Sequence, residues 1–192
     1  MTDQRVLCTD NGVTLGMSEQ DGITNFTLKF ALDNNSADIR TMINFKLFEL
    51  MAALSPDVIE CARVFNEDVY DGRTFLMLKP FGRELGLMPK YVYSSTNITW
   101  SENNNCVKIR SRQQQLPADV VVPVGAEPAE SADSLMCARF STPHHADVIY
   151  EFAMVLDSSM PKYMRRVPGG MMHMVFSRVK EFIEKVGTDT KR

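Results

Sequence analysis

The chain has 192 residues, 44% of them hydrophobic and 23% charged, and 21 basic against 24 acidic side chains leave a formal charge of −3. This length suits one folded domain, here expected over residues 1–192, and the composition excludes a wholly disordered chain. A slightly acidic balance argues against a dedicated nucleic-acid binder, so nucleic acid is not expected as a partner.

No apolar run reaches the roughly 18–20 residues that span a bilayer. Met1 to Arg5 lead into no apolar signal core, and a cytoplasmic monomer is expected. Cys8, Cys61, Cys106 and Cys137 are far apart in sequence, without a C-x-x-C pair, which fits free thiols in a reducing compartment. Thirteen methionines are many for this length. Met adapts its shape to irregular cavities and exchangeable partners, although ordinary core filling is the alternative.

In chain order, Asn11-Gly12 opens a short strand over 11–16. Asp21-Gly22 then precedes an alternating run in which Phe26, Leu28, Phe30 and Leu32 share one face. The two form an N-terminal hairpin. Ser36 stands as an N-cap, and Ile39, Met42, Ile43, Leu47, Leu50, Met51 and Leu54 recur at helical spacing before Pro56, so a helix is expected over 37–54. From Val58 the period becomes two. Strands are expected near 58–65, 73–79, 90–100, 105–112, 134–141 and 147–157, joined at Asp71-Gly72 and at the polar stretch 101–105. Such meanders favour antiparallel pairing.

Residues 113–131, rich in Pro, Ala and Glu, are the expected flexible segment, although Val120 to Val124 is apolar enough for a covered edge strand broken by Pro123. The last element is amphipathic. After Pro168, the residues Met171, Met172, Val175, Val179, Phe182, Ile183 and Val186 share one face, with His173, Ser177, Arg178 and Lys180 opposite. A helix over 168–186 would be roughly 28 Å long and stop at Gly187.

A curved sheet closing on such a helix is either filled by side chains or left hollow for a ligand. Here the order of elements resembles the steroidogenic acute regulatory protein-related lipid-transfer (START) domains. The resemblance runs over residues 11–186 and is most specific from Leu135 to Val186. There the strand pair Leu135–Phe140 and Val148–Asp157 leads through Ser158-Ser159-Met160-Pro161-Lys162-Tyr163 into the final helix. Met88-Pro89-Lys90-Tyr91 sits where many members carry an Arg-Asp-aromatic strand start, with Lys90-Tyr91 in place of Arg-Asp.

The resemblance implies an α+β helix-grip fold: a curved antiparallel sheet gripping a C-terminal helix, with one lipid held in a cavity between them. The helix would act as a lid, with Gly169-Gly170 as its hinge. The side chains expected to contact a ligand are Phe75, Met77, Tyr93, Trp100, Phe152, Met154, Met171, Met172, Val175 and Val179. Strand phase decides these assignments, since a one-residue slip turns each set outward. Arg139 and Glu151 either pair inside the cavity to hold a headgroup or lie on the solvated face.

His144-His145 with Asp147 read as a surface turn, because adjacent residues on a strand point to opposite sides and seldom ligate one ion; no metal is expected. Lys162, Arg165 and Arg166, with Lys79 or Lys90 nearby, are candidates for transient contact with an anionic membrane. Gly82-Arg83-Glu84-Leu85-Gly86 lacks the context of a phosphate loop, and neither a catalytic motif nor a cofactor is expected. Two alternatives to a lipid carrier stay open within the same fold: a cyclase or aromatase type of enzyme, and a protein-interaction domain with a filled core.

Overall fold

Asn11-Gly12 and Asp21-Gly22 adopt positive φ at both residues, 54° and 72° in the first and 51° and 78° in the second. That is the geometry that folds a strand tightly back on itself. These turns join β1 (Arg5–Asp10), β2 (Val13–Gln20) and β3 (Ile23–Asp33) into an antiparallel meander. β1 was not foreseen: it is an edge strand exposed on nearly every residue, so it carries no alternation to read. The computed structural model describes residues 4–66, 68–80, 88–156, 160, 161 and 163–187. The readings made for Gly82–Gly86, Asp157, Ser158, Ser159 and Lys162 lie outside the described residues.

The helix expected over 37–54 is divided. Asp38, rather than Ser36, caps a short 3₁₀ turn, Ile39–Met42, by accepting from the Arg40 amide. Asn44 then interrupts the backbone ladder: its side chain donates to the Thr41 carbonyl at 2.7 Å and accepts from the Lys46 amide at 2.8 Å. Asparagine competes in this way with helical bonding, and helix α1 (Lys46–Leu54) starts only beyond it.

The remaining strands are β4 (Ile59–Asn66), β5 (Asp71–Leu78), β6 (Lys90–Trp100), β7 (Cys106–Gln113), β8 (Glu127–Pro128), β9 (Ser131–Thr142) and β10 (His145–Val155). They complete one sheet in the order β1-β2-β3-β10-β9-β7-β6-β5-β4, with the two-residue β8 added parallel to β6. All the other pairings are antiparallel. β10 enters between β3 and β9, with Phe26 opposite Phe152, and so joins the first meander to the rest of the sheet.

Helix α2 (Val167–Lys185) lies across the concave face and packs on β2 and β3, while α1 packs on β4 and on α2. Val175, Phe176, Val179 and Ile183 enter a core with Val13, Leu15, Phe26, Leu28 and Phe30. His173 belongs to this buried side, correcting its assignment to the polar face: its Nε2 lies 3.0 Å from the Val13 carbonyl. Phe182 was expected inward and is instead 40% exposed.

The segment after β7 is held in place, and no covered edge strand forms from its valines. Leu116, Val120, Val122 and Ala126 pack against Phe75, Met77 and Tyr93 on the convex face, while Val121 and Val124 face solvent. Its end is tied by Glu127 N to Pro89 O at 2.9 Å, Ala129 N to Tyr91 O at 2.8 Å, and Gln113 Nε2 to Ala129 O at 2.7 Å.

The four cysteines are free thiols, yet Cys106 and Cys137, distant in sequence, lie on adjacent strands with sulfurs 3.6 Å apart. Burial, and then its bond to Cys137, push the Cys106 thiol up. No described helix is long and apolar enough to cross a membrane.

Candidate ligand cavity

The C-terminal end of α2 is clamped. Asn34, almost fully buried after β3, donates to the carbonyls of Ile183 at 2.5 Å and Val186 at 2.9 Å. Its side-chain oxygen accepts from the amides of Ser36 and Ala37 at 2.7 and 2.8 Å. Carbonyls left open at a helix end are thus satisfied by a side chain fixed to the sheet. Arg178 adds a forked pair with Asp57, Nη2 to Oδ2 being 2.9 Å.

The N-terminal end of α2 is built differently. Its cap residue, Arg166, makes no side-chain cap bond. Gly169 lies against the Phe26 ring: a Cβ there would sit 2.5 Å from Phe26 Cδ1, whereas one at Gly170 would meet nothing within 4 Å. The two glycines read as a hinge therefore differ, and Gly169 has a packing reason to be glycine.

Beneath this first part of the helix lies a cavity of about 260 Å³. Leu76 and Leu78 of β5, Val92 of β6, Phe152 and Met154 of β10, and Met171 and Met172 of α2 supply its apolar wall. Met88, Met160 and Met164 also border it, so six methionines among the described residues line this cavity. Unbranched thioether side chains suit a wall that must adapt to what it encloses.

Polar groups enter the wall at two levels. At the inner end, hydroxyls form a belt over adjacent strands. Thr74 Oγ1 and Thr96 Oγ1 are 3.0 Å apart, and Thr96 Oγ1 and Ser111 Oγ 2.9 Å apart. Burial pushes the Tyr150 hydroxyl on β10 up from its ordinary value of 10.0, against a smaller downward pull from Ser134. At the outer end stand Lys79 and Lys90, the latter paired with Glu127 at 2.6 Å. Four residue steps of strand, from Thr74 to Leu78, separate the levels by about 13 Å.

No family model matches the chain, and no curated protein matches it. Solved structures do. The human StarD13 (DLC2) lipid transfer and protein localization domain superposes with a TM-score of 0.73 at 7% identity, covering 97% of this chain and 91% of that one. Human StAR-related lipid transfer protein 5 gives 0.69 at 7% identity, over 98% and 88% of the two chains. The STAR-related lipid transfer protein of Xanthomonas axonopodis gives 0.68 at 9% identity, over 94% and 98%. The chain has the START fold.

Within this START fold, the side chains expected at a ligand are divided by position. Phe152, Met154, Met171 and Met172 border the cavity. Phe75, Met77 and Tyr93 lie on the opposite face of the sheet, one residue out of phase with Thr74, Leu76, Val92 and Ser94. Trp100, partly buried, stacks on Phe140 with ring centroids 5.7 Å apart and packs against the solid core, away from the cavity lining. Val175 and Val179 are fully packed in that core, beyond the cavity.

Arg139 and Glu151 do not pair. Register places Arg139 opposite Asp147 and Glu151 opposite Leu135, and both charges are on the exposed face. The adjacent histidines diverge: His144 Nδ1 lies 2.8 Å from the Asn34 carbonyl, and His145 Nδ1 lies 2.6 Å from Asp33 Oδ1. The hydroxyl belt was missed. Its signal was present, because Thr74, Ser94, Thr96, Ser111 and Ser134 fall in the same strand phase as the apolar wall.

Proposed function

We propose that the chain binds a lipid or similar hydrophobic molecule in the cavity beneath α2 and carries or senses it. Residues 1–192 would act as one binding unit, with the first turns of α2 as its lid. The single observation that carries this reading is the methionine-bordered hollow under one end of a helix whose other end is clamped. Transferring apolar ligand surface out of water stabilises a complex by ~25 cal/mol per Å², so a lipid chain of about 300 Å² contributes several kcal/mol. What supports a carrier, further, is the likeness in fold to proteins described as lipid-transfer domains.

Among the described lining residues no carboxylate or imidazole faces the cavity. A paired acid and base of the kind a cyclase needs is not assembled among these described residues, and binding is the reading favoured over catalysis. The hollow likewise disfavours a filled-core interaction domain. Lys79 and Lys90 at the rim, with Arg165 and Arg166 before α2, supply basic groups for brief contact with an anionic bilayer, each adding ~1 kcal/mol near such a surface.

The test is transfer of labelled lipids between donor and acceptor vesicles, with a panel of sterols, phospholipids and acyl chains. Transfer of at least one class is expected, and Met172→Asp, which places a charge in the apolar wall, should abolish it. No transfer and no bound lipid across the panel would defeat the carrier reading.

A further inference from the structure

The convex face of the sheet carries a pair of thiols remote from the cavity lining. Cys106, at the start of β7, and Cys137, in β9, lie on adjacent strands, half-buried, with sulfurs 3.6 Å apart. Register sets Arg139 directly opposite Cys106, and Lys108 directly opposite Cys137. Side chains paired across strands stand about 4.5–5.5 Å apart at Cβ, so each cysteine has a cation as its facing neighbour. Lys108 and Arg139 are exposed, and neither makes an ion pair with a described carboxylate. The acid next to them by register is Asp147, on the far side of Arg139, while Ile149 adjoins Cys137.

The cysteines occupy diagonal rather than facing positions, and diagonal neighbours are about 7–8 Å apart. A disulfide spans about 4.4–6.8 Å between Cα atoms, so closing a bond between these two requires the strands to shear. Exchange with a disulfide brought from outside carries no such strain. The two sulfurs are also unlike. Burial, and then the bond to Cys137, push the Cys106 thiol up, against smaller pulls from Lys108 and Arg139. Cys106 thus keeps its proton and donates it in the hydrogen bond, which leaves Cys137 as the attacking sulfur. Thiolate is the nucleophile in exchange, and cations beside it favour that form and draw in an anionic reactant.

We infer that Cys137 is a thiol-exchange site for a small anionic disulfide, with Lys108 and Arg139 receiving its carboxylates and Cys106 donating a hydrogen bond beside it. The Cys137 thiol first loses its proton to solvent. Its sulfur then attacks one sulfur of the reactant, a mixed disulfide forms, and the reactant's own S–S bond breaks. The departing thiolate takes up a proton from solvent. One thiol and one disulfide are consumed and one of each is produced, so the exchange needs no further oxidant. The site lies on the face away from the cavity and stands independently of the ligand reading.

The full chain is incubated at pH 8 with oxidised glutathione, which is anionic, or with cystamine, which is cationic, and peptide mass spectrometry follows adducts at each cysteine. Dividing the rate at Cys137 by that at the exposed Cys8 of the same chain cancels the intrinsic reactivity of each reagent. This ratio should be higher for oxidised glutathione by about tenfold or more, with the mixed disulfide at Cys137 as the stable product. Added salt should erase the preference in the unaltered chain, because it screens exposed charges. Changing Lys108 and Arg139 together to Met should also erase it, and Cys106→Ala should slow Cys137 severalfold with both reagents. An unchanged melting temperature and an unchanged rate at Cys8 show that each variant keeps the fold. Equal ratios for the two reagents, an adduct at Cys106 in place of Cys137, or a Cys106–Cys137 disulfide as the sole product would each overturn the inference.

Discussion

The two ends of α2 rest on different floors. From Val175 to Ile183 the helix presses Val175, Phe176, Val179 and Ile183 into a core with β2 and β3, and Asn34 holds its last carbonyls. From Val167 to Met172 it roofs a hollow, touches the sheet closely at Gly169 against Phe26, and presents Met171 and Met172 to open space. One continuous helix thus has an end packed into the core and an end that roofs a hollow. The difference arises from side chains: branched and aromatic residues interlock over β3, whereas Ser, Thr and Met meet over β5 to β9 and do not fill the space.

The comparison is open to direct attack. Phe176→Ala removes a ring that packs on Phe30 and Tyr150 at centroid distances of 5.6 and 4.8 Å. Urea unfolding should show a loss of ~3–5 kcal/mol. Met172→Ala, four residues earlier, borders space that is already empty and should cost less than about 1 kcal/mol. Equal losses at the two positions would mean that the helix has one kind of floor.

The glycine pair gives a finer contrast. Gly169→Ala drives a methyl group into the Phe26 ring and should destabilise by ~1–3 kcal/mol. Gly170→Ala meets open space and should stabilise the helix by up to ~1 kcal/mol, since Gly is the poorer helix former. Opposite signs in thermal unfolding check this, and a gain at both would show that the helix can lift from Phe26 at no cost.

The smallest effect concerns the anchored end. The bond to Asp33 holds the His145 imidazole above its ordinary value of 6.5. A group whose folded value is raised contributes stability that is fully present below the unfolded value and is lost as pH rises through the folded one. Stability should therefore decline modestly from pH 6 to pH 8, and Asp33→Asn should flatten that decline. An unchanged slope in the variant would assign the pH dependence elsewhere.

What could be read from the sequence follows the same division. β3 and α2 were legible because each has one buried side: Phe26, Leu28, Phe30 and Leu32 alternate cleanly, and Val175, Val179 and Ile183 repeat at helical spacing. The antiparallel sheet and the terminal helix emerged from those patterns. β5 hid its phase because both faces are covered. Thr74, Leu76 and Leu78 face the cavity, while Phe75 and Met77 meet Leu116, Val120 and Val122 on the other side. The larger side chains suggested the wrong face.

The broken helix at Asn44 was hidden by intact apolar spacing around it, because a local side-chain bond changes the backbone without changing that pattern. The belt of hydroxyls was overlooked because each Ser or Thr alone looks like surface. Only the register of β5, β6, β7 and β9 brings them together.

Xenon tests the central claim most directly, because an apolar hollow takes up the gas and a packed interior does not. Crystals of the full chain, pressurised with xenon, should show density among Leu76, Val92, Phe152 and Met172, and none between Phe176 and Phe30. A space closed by its own side chains, with no xenon under residues 167–172, would contradict the account.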